Sequence, residues 1–202
     1  MKYFISLISF LHFLIPVHAE WLAFRGSLGN GSSEFAGPGK IMLKGEGSWV
    51  TQLPGRGLSS PVIANDTVFL TASSGPNQET LHILAFGTED GKKLWERKFK
   101  ATGRTICHKK TCVAASTLAS DGKLLIAQFS SNDVFCLDLL GNLRWLRGLT
   151  FDHPNIANGL GMSSSPLIVG ENAIIQVEND ADSFSFGLNL TDGTTCWKKE
   201  RP

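Results

Sequence analysis

The chain has no stripe of basic side chains, no long run of alanine, glutamate, lysine and leucine at helical spacing, and no cysteine directly after its amino-terminal apolar run. Each absence excludes a class of protein. Its 202 residues carry 19 Lys and Arg against 18 Asp and Glu, a formal net charge of +1 with the cations scattered, which removes the electrostatic footprint of a nucleic-acid binder or of a protein held on an anionic membrane. The missing helical pattern excludes a bundle and leaves a chain rich in Gly, Val, Ile, Phe and Thr, the composition of an all-β protein. The missing cysteine disfavours a lipid-anchored lipoprotein. A serine on a strained strand-to-helix elbow is absent too, and so is the CxxCH of covalent haem attachment.

What stands at the amino end is Met1-Lys2, an apolar run from Tyr3 to Val17, and small residues at Val17-His18-Ala19. That order reads as a secretory signal peptide over residues 1–19, so that contact with a membrane is transient and the rest is exported to the periplasm or the extracellular space. An uncleaved anchor is the alternative, although the run is shorter than the roughly 20 residues of a membrane span. Residues 20–202 then suffice for one domain with a sizeable core. In an oxidising compartment the four cysteines matter. Cys107 and Cys112 enclose only four residues and are a candidate disulfide pair, while Cys136 and Cys196 sit in strand patterns as small buried hydrophobes.

Gly91 and Trp95, Gly141 and Trp145, and Gly193 and Trp197 repeat one glycine-to-tryptophan interval, with the tryptophans 50 and 52 residues apart. Around each pair lie four short β-type runs separated by Asn, Asp and Gly turns that accept positive φ. Four antiparallel strands repeated about every 50 residues are the pattern of a β-propeller blade. The expected organisation is an entry segment over residues 20–58 and then blades near 59–98, 113–147 and 163–199. A four-stranded sheet cannot bury both its faces alone, so blades must stack. The glycine allows the turn before the outermost strand, and the tryptophan offers a flat surface to lie across the join.

Ala85-Phe-Gly-Thr-Glu-Asp-Gly91-Lys-Lys-Leu-Trp95 resembles the tryptophan-docking motif AxDxxTGxxxW of the pyrroloquinoline-quinone (PQQ)-like propeller family, which includes quinoprotein alcohol dehydrogenases and BamB-like assembly factors. Gly187 to Trp197 is a second copy, with Asn189 for Asp and Asp192 for Thr. Cys136 to Trp145 is a third, one residue shorter before its glycine. Trp21-Leu-Ala-Phe24-Arg25-Gly26, followed by Gly29-Asn-Gly31, resembles the opening of secreted planctomycete-type members. The resemblance implies a propeller of seven or eight blades, about 350 to 400 residues at this repeat length. Three blades are therefore expected to be part of a longer propeller, or to be completed by another chain.

Loops that interrupt the template are candidate ligand sites. Between blades one and two, Arg104 and His108 accompany Cys107 and Cys112, a set short of the four ligands a structural zinc needs. Between blades two and three stand Asp152, His153, Asn155 and Asn158, where adjacent Asp152 and His153 suggest an acid/base pair but neighbours on an extended chain point to opposite sides. Glu178, Asp180 and Asp182 form an acidic tip whose oxygens suit Ca²⁺ but lack the EF-hand spacing.

The resemblance implies two functional classes. One is a PQQ-dependent dehydrogenase, whose family members stack a disulfide between adjacent cysteines on the quinone and hold Ca²⁺ nearby; this chain has no adjacent cysteines. The other, which the complete repeat chemistry favours, is a non-enzymatic, cofactor-free scaffold for protein partners. A carbohydrate- or small-ligand-binding propeller is the third reading.

Overall fold

A computed structural model of the protein describes residues 20–33, 47–156, 158–180 and 183–201. The signal-peptide reading of residues 1–19 and the candidate Asp182 lie outside them. Twelve strands form three antiparallel sheets in sequence order: β1 (Val62–Ala64), β2 (Thr67–Ser74), β3 (Thr80–Gly87) and β4 (Lys93–Lys100); β5 (Ala119–Ser120), β6 (Leu124–Gln128), β7 (Asp133–Asp138) and β8 (Leu143–Gly148); β9 (Leu167–Val169), β10 (Asn172–Val177), β11 (Phe184–Asn189) and β12 (Thr195–Glu200). The one departure among the described residues is a four-residue helical turn, α1 (Leu149–Asp152).

Turn chemistry sets the strand boundaries. Asn65 and Asp66 both take positive φ, 48° and 57°, as a two-residue I′ hairpin requires. Alternating side chains then face opposite neighbours. From β2, Phe69 joins the core between the first and second sheets with Leu81, Ile83, Leu125 and Phe135. Ile126, Val134 and Cys136 point the other way, to Ala173, Ile175, Phe184 and Phe186 of the third sheet. The inner strand β5 lies against both β1 and β9, so the sheets fan side by side as part of a β-propeller. Toward this hub the Ser60 N–H donates to Thr117 Oγ1 at 2.9 Å, and the Thr117 N–H donates to Ser165 Oγ at 3.0 Å. The same bond thus recurs from one blade to the next.

The segment before β1 is not a separate unit. Trp21 pairs antiparallel with Ile63, Arg56 pairs with Ser73, and Trp49 and Leu53 pack on Val68, Ala72, Leu84 and Phe86 of the first sheet. Cys196, expected to be buried, is exposed in the edge strand β12.

Candidate functional site

Strand direction alternates, so the two ends of the fan differ. The turns from first to second strand and from third to fourth strand share one end; the second-to-third turns and the long connectors 101–118 and 149–166 share the other.

At the turn end the repeated motif forms a directional joint. The Trp49 Nε1–H donates to Thr88 O at 2.8 Å, that of Trp95 to Leu139 O at 2.9 Å, and that of Trp145 to Leu190 O at 2.8 Å. Each acceptor is in the turn of the next sheet, and each indole lies over that turn's glycine: a Cβ added to Gly91, Gly141 or Gly193 would fall within 2.3, 2.9 or 2.7 Å of Trp49, Trp95 or Trp145. The glycine is therefore more than a turn residue, since its bare Cα face is the socket for the preceding indole. A register shift accompanies each tryptophan, with Ala85 opposite Trp95 but Phe86 opposite Lys93, and likewise at Cys136/Leu137 and Gly187/Leu188. The extra residues Leu94, Arg144 and Cys196 form β-bulges, which bend the outer strand and re-aim the residue that follows. Two residues past the indole, Arg97 Nε and Arg147 Nη1 donate to Gly141 O and Gly193 O at 2.6 and 2.7 Å. Sequence reading missed Trp49 and both arginines, although Trp-x-Arg occurs at both 95–97 and 145–147. Trp197 lies on Gly187 of its own sheet and is 41% exposed.

The connector end gathers the loop candidates. The His108 N–H donates to Leu160 O at 2.9 Å, which ties the two connectors together. Asn158 Nδ2 donates to Glu178 O, and the Gly159 N–H to Asp180 Oδ2, both at 3.3 Å, so the second and third candidate loops meet. Arg104, with Asn77, Gln78 and Cys107, lines an open cleft of about 470 Å³. Asp152, His153 and Asn155, with Phe184 and Lys198, line a smaller one of about 230 Å³.

Asp152 and His153 do not act as a pair. Asp152 is held by Arg147, while the His153 ring packs on Phe184 at 4.6 Å between centroids; burial and the Lys198 ammonium hold its pKa below the ordinary value. The candidate disulfide is not formed, and Cys107 and Cys112 are free thiols. Cys107 faces Gly161 and accepts from Gln78 Nε2, whereas Cys112 is fully buried in the core beside Val113 and Ala114. The acidic tip is also engaged, with Glu178 bonded to Gln176 and Arg201. Among the described residues no three His, Cys, Asp or Glu side chains converge as a metal-ligand set.

A carboxylate not singled out in the sequence locks the first connector. Asp133, fully buried at the start of β7, accepts from the Thr102 N–H at 3.0 Å, Thr102 Oγ1 at 2.5 Å and Ser131 Oγ at 2.6 Å. Desolvation nevertheless leaves its pKa above the ordinary 3.8. The folded state then holds this proton more tightly than the unfolded chain, so Asp133 makes stability fall as pH rises from about 4 through the raised value. Asp133→Asn keeps an acceptor for the Thr102 N–H and is expected to remove that pH dependence at little cost. Asp133→Ala, which strands the donors, is expected to lose about 1 to 3 kcal/mol. Denaturation midpoints measured across pH distinguish the two.

The family model for the outer membrane protein assembly factor BamB matches residues 38–202. No curated protein matches the chain. Among solved structures, the quinohemoprotein alcohol dehydrogenase from Comamonas testosteroni is 16% identical, covering 72% of this chain and 21% of its own, with a TM-score of 0.54. A europium-containing methanol dehydrogenase is 14% identical, covering 69% and 24%, at 0.50. BamB from Moraxella catarrhalis is 17% identical, covering 77% and 38%, at 0.46. The chain spans well under half the length of each. At such identities the dehydrogenase likeness shows the fold alone. Asp133, Asp152 and Glu178 are each engaged by donors within the chain, so none of these three stands open to a calcium ion.

Proposed function

The chain belongs to the family of the outer membrane protein assembly factor BamB, and from that premise we propose that it is an exported, non-catalytic scaffold that presents the connector end of its blades to protein partners. The observation that carries this reading is the division of labour between the two ends. At the turn end Trp95, Trp145 and Arg147 are committed to the neighbouring sheets. At the connector end two long loops are tied to each other and to the sheet turns, yet leave Arg104, His108, Asp152 and Asn155 exposed. Exposed polar loops on a rigid base suit recognition of a macromolecule. By the family's description, the partner class is an outer-membrane protein chain or another component of its assembly.

Photo-crosslinking residues placed at His108 and Asn155, and as controls at Glu89 and Leu140 on the turn end, test the reading in intact cells. Discrete adducts with envelope proteins are expected from the first pair and not from the second. Adducts from neither pair, or equally from both, would overturn it, and fractionation of the same cells checks export.

A further inference from the structure

On the face of the first sheet covered by the entry segment, three polar side chains from adjacent strands form a hydrogen-bonded row. Ser74 Oγ, at the end of β2, is 2.7 Å from Nε2 of His82 on β3, and His82 Nδ1 is 2.9 Å from Oε1 of Glu96 on β4. His82 is 3% exposed and the Glu96 side chain 13%. Strand pairing fixes the order: Ala72 is opposite His82 and Leu84 is opposite Glu96, so Ser74, His82 and Glu96 run diagonally across one face. Lys93 is bonded to Glu96 Oε2 at 2.7 Å, with Lys98 at 3.7 Å from its other oxygen. Hydrogen bonding to Lys93 and His82 holds the Glu96 pKa below the ordinary value. An ionised carboxylate at Nδ1 selects the tautomer with its proton there, which leaves Nε2 as the acceptor of the serine proton.

A buried histidine needs both ring nitrogens satisfied. What separates Ser74 from a mere partner is its position. It is half-buried beside Gly75, which has φ +94°, where β2 ends in its turn to β3 at the connector end. Gly55 of the entry segment lies against it without a side chain, and a Cβ there would come within 2.9 Å of Ser74 Cβ.

We propose that Ser74 is a base-activated nucleophile, with His82 its general base and Glu96 the positioning residue, and that its substrates are small activated esters entering from the connector end. Ser74 Oγ attacks the carbonyl carbon while its proton passes to His82 Nε2. The imidazolium returns that proton to the departing alkoxide as the ester C–O bond breaks. Water then attacks the acylated serine and gives a proton to His82, which passes it to Ser74 Oγ as the acyl C–O bond breaks, releasing the carboxylic acid. This inference keeps the partner-presenting surface of the scaffold reading and replaces its non-catalytic part, so loss of the crosslinks would fail the one and absence of Ser74 labelling the other.

The test is incubation of the folded chain with a fluorophosphonate probe across pH, followed by peptide mapping. Modification concentrated on Ser74, with a rate that rises as the imidazole loses its proton, is expected. His82→Gln should slow labelling about 100-fold, and Glu96→Gln should slow it less. Either failure of Ser74 to label in the folded wild-type chain or labelling spread evenly over the serines overturns the proposal. Undiminished labelling of folded His82→Gln would do the same. Site mapping on the wild type decides the matter even where a variant does not fold.

Discussion

Trp145→Ala is expected to lose about 3 to 5 kcal/mol, the range for truncating a packed tryptophan, and so to bring a domain of ordinary stability, about 5 to 15 kcal/mol, close to unfolding. Three contacts go together. The indole is 8% exposed, in the core shared by the second and third sheets; its Nε1–H serves Leu190 O; and its ring covers Gly193, whose carbonyl Arg147 holds from the same strand. Losing the ring opens a cavity between two sheets. Trp197→Ala removes the same side chain from the same repeat position, yet that ring is 41% exposed and lies on its own sheet. It is expected to cost less than about 1 kcal/mol, within the range of surface changes. Chemical denaturation of the two variants provides the comparison. Equal losses would mean that the energy resides in the repeat motif itself and not in the joint between blades.

That contrast marks how far the sequence could be read. Fold and repeat were legible because they depend on local rules: positive-φ turns at Asn65-Asp66 and Gly141, short apolar β-type runs such as those of β6 and β10, and a fixed Gly-to-Trp interval. The partner of each indole was not legible, because it is set by which sheet comes next. Trp95 meets Gly141, 46 residues on, not the Gly91 beside it in sequence. Trp49 was passed over although Gly45 stands before it at the same four-residue interval, because that pair does not close a set of four short β-type runs. The bulges were hidden because they are defined by which residues of the neighbouring strand stand opposite, Ala85 to Trp95 but Phe86 to Lys93, and pairing is not written in the outer strand alone. At the connector end, Asp152 and His153 drew notice by adjacency, while Asp133 and the Ser74, His82 and Glu96 row look like ordinary strand residues until three strands are laid side by side. Adjacency on the chain is weak evidence for chemistry in a β-sheet, where the hydrogen-bonding neighbours lie across strands.

Gly193→Ala is expected to cost about 2 to 5 kcal/mol, from two sources of similar size. The backbone there has φ +73°, a left-handed conformation that penalises any Cβ by about 1 to 2 kcal/mol. The added methyl would also lie 2.7 Å from Trp145 Cδ2, so the indole must shift, an overpacking cost of about 1 to 3 kcal/mol. Gly170→Ala isolates the first source: its φ is +58°, and a Cβ there meets nothing within 4 Å, so only the backbone penalty of about 1 to 2 kcal/mol is expected. The second source is isolated by a double-mutant cycle. In the Trp145→Ala background no ring stands over residue 193, and Gly193→Ala should cost no more than Gly170→Ala does. The two changes are then less than additive, with a coupling of about 1 to 3 kcal/mol. Strict additivity, measured by denaturant unfolding of the four proteins, would show that glycine serves only the turn. A coupling of the expected size would assign the repeated glycine to the joint, as the surface on which the preceding blade's indole rests.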